Sequence, residues 1–390
     1  MIKKISILFE QQQIKGNNIF HPSFAPMPDD GLMFTFQTYT ASDHYGSPQF
    51  MIYTPQNGWS VPADVPGMEN VQHPDGSVRG VADIRIFAAG DGSVVVFGCG
   101  TIYGAESQKG NINREEDFSL YNIYKPGTGW GECQRLPVGR IACTQTAFAA
   151  DGDWLVPCYF VCGEADDFGM PFIPRYGIRT LKLHLGNGVF NIVGKSNILQ
   201  HNVQRGFIEP SISCWNNEYY LTIRAEDGCA YVSKSADPLH WCDPVCGQFD
   251  DGAVMQTAST QQHFLQLEDK LFLLYTRKSD CNEHVFRYRA PLFIAEIDGR
   301  RCCLKRSSEK IVFDYIQRNG VDGLLGNFHV CNLPDGSGIV CDCRLFDSDN
   351  ESLQRHAELA VARIDPAAPE KSVPGLTNRH FQSSLITHVI

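Results

Sequence analysis

Tight turns recur along this chain about every sixty residues, and that spacing limits its fold more than any other feature. They fall at Asp30-Gly31, Asp91-Gly92, Asp151-Gly152, Asn216-Asn217, Glu268-Asp269 and Asp335-Gly336. A short strand-forming run precedes each turn, and a strongly apolar one follows it, over 32–36, 93–97, 154–159, 218–224, 270–275 and 337–341. A further strand follows in most units, over 49–53, 119–124, 180–183, 230–233, 292–296 and 358–364, and Trp59, Trp130 and Trp241 come after several of these. Units of this kind stack radially, because a ring hides the strand edges that an open sheet would expose. The spacing predicts an all-β chain: one six-bladed β-propeller over 1–390, with blades near 20–62, 78–137, 141–199, 205–246, 256–313 and 324–366. The run 4–9 has no hairpin of its own and is expected to join the last blade and close the ring. A two-sheet sandwich would place its turns closer together. Helical periodicity is absent.

Composition narrows the partners. With 33 Lys+Arg against 44 Asp+Glu the formal charge is -11, which argues against a nucleic-acid backbone or an anionic membrane surface as partner. The 35 Gly and 21 Pro suit a chain with many turns. The N-terminal apolar run stops at Glu10, short of a signal-peptide core, and no stretch approaches the roughly 18 apolar residues of a membrane span. A soluble, cytoplasmic protein is expected; a secreted or periplasmic one is the alternative if a signal peptide was removed. Fifteen Cys stand singly in apolar strands, with no CxxC, so reduced structural thiols are expected and no zinc motif is present. No cofactor is implied, and no metal-ligating spacing stands out.

Three segments carry a family resemblance. Tyr231-Val232-Ser233-Lys234-Ser235-Ala236-Asp237-Pro238-Leu239-His240-Trp241 resembles a degraded Asp-box, the structural turn of sialidase-like propellers, keeping its Ser, Asp and Trp but not its glycine. Thr54 to Ser60 and Lys125 to Gly131 look like more eroded copies. Phe207-Ile208-Glu209-Pro210-Ser211-Ile212, followed by Ile223-Arg224, resembles the sialidase element with a buried Glu and a carboxylate-binding Arg. In Phe286-Arg287-Tyr288-Arg289-Ala290-Pro291-Leu292, Arg289 lies about where that family places the next Arg of its triad. The resemblance implies a divergent sialidase-like (BNR, Asp-box) propeller. Two departures accompany it. Around Gly326-Asn327-Phe328-His329 no Tyr stands where sialidases carry their nucleophile, and the first unit reads Phe20-His21-Pro22-Ser23 where the family has an Arg.

Candidate site residues follow. Arg224 and Arg289 offer planar donors that match a carboxylate bidentately, with Arg205, Arg287 and Glu226 as secondary candidates. Glu209 can orient such an Arg, act as a base, or simply pair with Arg224 to hold the blade. His21, His44 and His329 occupy first-strand or loop positions expected at the channel mouth, where an imidazole transfers protons near neutral pH. The resemblance places Asp43 where sialidases carry their acid/base Asp. Asp83, Arg85, Gln145 and Gln261 begin inner strands, where they would touch sugar hydroxyls or line a wet channel. The expected activity is an exo-acting glycoside hydrolase of sialidase type on a terminal acidic sugar of an oligosaccharide or glycoconjugate. A uronate lyase with Arg neutralising the carboxylate and a His base is the alternative, and a non-catalytic glycan-binding propeller the third reading.

Overall fold

Each of the six turns joins two antiparallel strands, and the six hairpins grow into six small sheets set around one axis. The computed structural model describes residues 2–12, 18–41, 44–103, 118–164, 174–346 and 356–366. The innermost strands are Ile19–Met27, Val78–Ala88, Ala147–Phe148, Ile208–Trp215, His263–Leu267 and His329–Asn332, from blade 1 to blade 6. Neighbouring inner strands touch, and the last, His329–Asn332, packs beside the first, Ile19–Met27, so the circle closes. Strand pairing between the two ends of the chain completes the closure: Ile2–Gln12 runs antiparallel to His356–Pro366 as the outer strand of blade 6. The fold is a six-bladed β-propeller whose ring is completed by the N-terminal strand, as the orphan run 4–9 predicts.

Local chemistry explains the turns. In Asp91-Gly92-Ser93 and Asp335-Gly336-Ser337 the Asp carboxylate accepts the Ser backbone N–H at 2.9 and 3.0 Å and the Ser hydroxyl at 2.6 Å in both. The intervening glycine supplies the positive φ, 81° at each. Once turned, the middle strands are buried on both faces, because each blade lies against two others. Val94-Val95-Val96-Phe97 and Leu271-Phe272-Leu273-Leu274-Tyr275 are accordingly buried without alternation. The core is a set of wedges between blades, such as Val95, Phe97 and Tyr121 of blade 2 against Val156 and Leu181 of blade 3.

Blades 3 and 4 are welded by Trp241. Its indole Nε1 donates to Thr180 Oγ1 at 3.0 Å, and its backbone exchanges two bonds with the Asn197 side chain, at 2.8 and 3.0 Å. The turn before it is held by Asp237, whose carboxylate accepts Leu239 N–H at 2.9 Å.

One expectation about the thiols is overturned. Cys229 and Cys246 form a disulfide, their Cα atoms 5.9 Å apart, while the other thirteen cysteines are free. Their separation of 17 residues gives no local signal; they meet because Val245–Cys246 pairs with Tyr231-Val232 at the blade edge.

Candidate active site at the channel mouth

The inner strands of blades 1, 2 and 4 break register at corresponding places, between Phe20 and Ser23, opposite Phe97 and Cys99, and between Ile208 and Ser211. Within each bulge one non-glycine residue takes a left-handed backbone: His21 (φ 48°), Asp83 (φ 58°) and Glu209 (φ 47°). Cys143 (φ 52°) and Ser259 (φ 53°) do the same just before the inner strands of blades 3 and 5. Such conformations cost about 1–3 kcal/mol each and persist where the surrounding fold imposes them, commonly at functional sites. A bulge re-aims a side chain in three blades, and a left-handed residue just before the inner strand stands at the matching place in two more.

Glu209 and Arg224 form the centre. Arg224 Nη1 donates to Glu209 Oε1 at 2.6 Å, and Arg224 Nε to Ser259 Oγ at 2.9 Å. Ser259 Oγ donates in turn to Glu226 Oε1 at 3.2 Å, and Glu226 pairs with the Arg205 guanidinium. Burial works against ionisation of Glu226, but the hydrogen bonds and charge of Arg205 hold its carboxyl below the usual carboxylate range.

Two more arginines arrive from the short turn Phe286–Tyr288, in which Arg287 and Tyr288 are left-handed. Burial, then repulsion from Arg224, Arg289 and Arg205, pushes the Arg287 guanidinium down to about 10, so it remains charged at neutral pH. Arg289 is lowered by burial and by Arg224, against the pull of Glu209 and Asp342. Glu209 and Glu226 are already engaged by Arg224 and Arg205, and Asp342 accepts the backbone N–H groups of Gly326 and Asn327 at 2.9 and 3.2 Å. Neither Arg287 nor Arg289 has a salt-bridge partner among the described residues, and Arg289 Nε is sealed from solvent without a hydrogen bond. Beside them opens a cleft of about 530 Å³ whose walls include Glu226, Asp227, Thr257, Lys278, Arg287 and Tyr288. At its edge Asp227 accepts Tyr231 Oη at 2.7 Å and meets His201 Nε2 at 2.8 Å.

The remaining sequence candidates are placed differently. Asp43 lies outside the described residues, and His44 is described only as backbone, paired with Ala41. His329 is not at the mouth. It is 2% exposed inside the channel, its ring 5.7 Å from Phe87, with no hydrogen-bond partner on either nitrogen. Burial, with Arg85 nearby, drives its imidazole well below the usual histidine range, which keeps it neutral. Arg85 is likewise buried in the channel, its guanidinium reaching Ile84 O at 2.8 Å, Gln261 Oε1 and Asn327 O at 3.4 Å, and Cys143 Sγ at 3.6 Å. Gln261 donates to Phe328 O at 2.9 Å, and Gln145 accepts Phe264 N–H and donates to Phe264 O, both at 2.7 Å. These amides staple the inner strands together. His21 and Asp83 do lie at the bulges, joined to each other at 3.0 Å, with His21 only 1% exposed. Ser259, Tyr288, Asp227 and Cys143 were not anticipated. Only Tyr288 carried a signal, as a member of the Phe-Arg-Tyr-Arg run.

No family model matches the sequence. No curated protein matches it either. Solved structures do. A protein of unknown function from Dyadobacter fermentans superposes with a TM-score of 0.61 at 14% identity, over 93% of this chain and 99% of that one. The NanB sialidase of Streptococcus pneumoniae gives 0.58 at 10%, over 93% and 70%, and the leech intramolecular trans-sialidase 0.56 at 11%, over 94% and 70%. The Trypanosoma rangeli sialidase, solved with sialic acid, gives 0.55 at 12%; this chain spans 57% of its length. By fold, the chain is therefore a divergent sialidase-like six-bladed β-propeller.

Proposed function

We propose that this protein is an exo-acting glycoside hydrolase of sialidase type that takes a terminal sugar bearing a carboxylate. One observation carries the reading: Arg287 and Arg289 lie together beside Arg224 with no salt bridge among the described residues, although charge repulsion disfavours the arrangement. A ligand carboxylate relieves that repulsion and offers each planar guanidinium two acceptors. The adjoining cleft has the volume for a sugar ring and part of its neighbour. Glu209, held by Arg224 and partly open to solvent, is the acid or base we assign to that site. The fold neighbours solved with sialic acid or its anhydro product lend support as analogues.

Incubation with a panel of acidic oligosaccharides tests the chemistry. Release of a terminal acidic sugar, seen as new reducing ends without ultraviolet absorbance, is the expected result. An unsaturated, absorbing product would replace hydrolysis by β-elimination, and binding without any product would reduce the protein to a lectin.

A further inference from the structure

A second site lies beside the arginine cluster, on blades 1 to 3. His21, Asp83 and Cys143 each come from a left-handed position on a different blade, and their ligand atoms all lie within 4.8 Å of one another. The hydrogen bonds around them fix their chemistry. Gln37 Nε2 donates to Gly46 O at 3.0 Å and to Val81 O at 2.6 Å, so the amide can be oriented only with Oε1 toward His21. Facing that oxygen at 3.3 Å, His21 Nδ1 carries the proton. In a neutral imidazole the lone pair is then on Nε2, and it points at Asp83 Oδ1, 3.0 Å away. Two acceptors at that distance need either a proton or a metal ion between them.

We infer that His21 Nε2, Asp83 and Cys143 Sγ form a binding site for a divalent metal ion of the zinc class. The donor set is the mixed nitrogen, oxygen and sulfur that a borderline-soft ion prefers, and three protein ligands leave a fourth position open. The spacing fits: ligand bonds of about 2.0–2.2 Å at a tetrahedral angle separate nitrogen from oxygen by about 3.3 Å. Gln37 is the outer partner that a metal-bound histidine uses to fix its ring. Arg85 Nη2, 3.6 Å from Cys143 Sγ, supplies the N–H donor that a thiolate accepts. A neutral imidazole, a carboxylate, a thiolate and a dication sum to zero charge, the proton of the thiol passing to solvent as the ion binds. The open side of Asp83, 17% exposed, is the entry, and Cys143 lies within electrostatic reach of Glu209 and Arg224. The ion therefore places a Lewis acid beside the arginines, at a site that includes His21 where the sialidase resemblance implies an Arg. The site stands on its own ligands and does not depend on the sugar being acidic.

Cobalt(II) is the probe. Protein dialysed against a chelator and titrated with cobalt is expected to bind one equivalent per chain and to show a sulfur-to-cobalt charge-transfer band in the near ultraviolet. Cys143→Ser should abolish the band, and Asp83→Asn should weaken cobalt and zinc binding about tenfold or more. Arg289→Ala should leave both intact, which separates this site from the anion site. No band in the wild-type protein at saturating cobalt overturns the inference, as does a band that survives in Cys143→Ser.

Discussion

Arg289→Ala is expected to lower affinity for an acidic terminal sugar by about 10²-fold or more, since each charge-assisted hydrogen bond contributes about 1.5–3 kcal/mol and this guanidinium can make two. The variant should fold as well as the parent. Arg289 has no salt bridge to lose among the described residues, and its removal lifts repulsion from Arg287, so the thermal midpoint is expected to stay level or rise slightly. Arg289→Lys should recover only part of the affinity, because the ammonium keeps the charge and loses the planar fork. Arg224→Ala differs in kind. It strands the Glu209 carboxylate, bonded at 2.6 Å, and leaves Ser259 without its donor, so binding and stability should fall together. Calorimetric titration and thermal melts of the three variants check this. Equal affinities in Arg289→Ala and the parent would remove Arg289 from the site.

Trp241→Ala carries the largest expected effect on stability. The side chain is 5% exposed and belongs to the wedge formed by Tyr176 and Ile178 of blade 3 with Ile212 and Leu221 of blade 4. Truncating a large buried aromatic costs about 3–5 kcal/mol through lost contacts and the cavity left behind. The Thr180 hydroxyl also loses the indole donor at 3.0 Å. Trp241→Phe should restore most of the packing and none of that bond. In urea denaturation the midpoint should fall with an unchanged slope, because the unfolded surface is nearly the same. A loss below about 1 kcal/mol would mean that the blade 3–4 wedge collapses around the gap.

The ring was legible in the sequence because its signals are local. Asp-Gly turns, apolar runs buried on both faces and one unpaired strand at the N-terminus specify blades without any knowledge of their neighbours. The arginines were legible for a related reason: Arg224 ends a strand, and Arg287 and Arg289 precede Pro291, positions that lie at one end of a blade. Depth along the channel was not legible. Arg85, Gln145, Gln261 and His329 sit only a few residues from mouth positions, and nothing in the residue alphabet marks which of them turn inward. Cys143 and Ser259 take left-handed positions just before their inner strands, and their side chains read as ordinary small residues. The disulfide depended on strand register, which two cysteines 17 residues apart cannot announce.

The central claim is that a ligand carboxylate fills the gap between Arg287 and Arg289. Titrating the protein with a terminal acidic sugar and with the methyl ester of the same sugar isolates that group, because ring, hydroxyls and size are otherwise shared. The account predicts that the acid binds and that esterification weakens binding by about 10²-fold, with the acid's affinity falling as salt is raised. Equal affinity for acid and ester, at low salt, would contradict it.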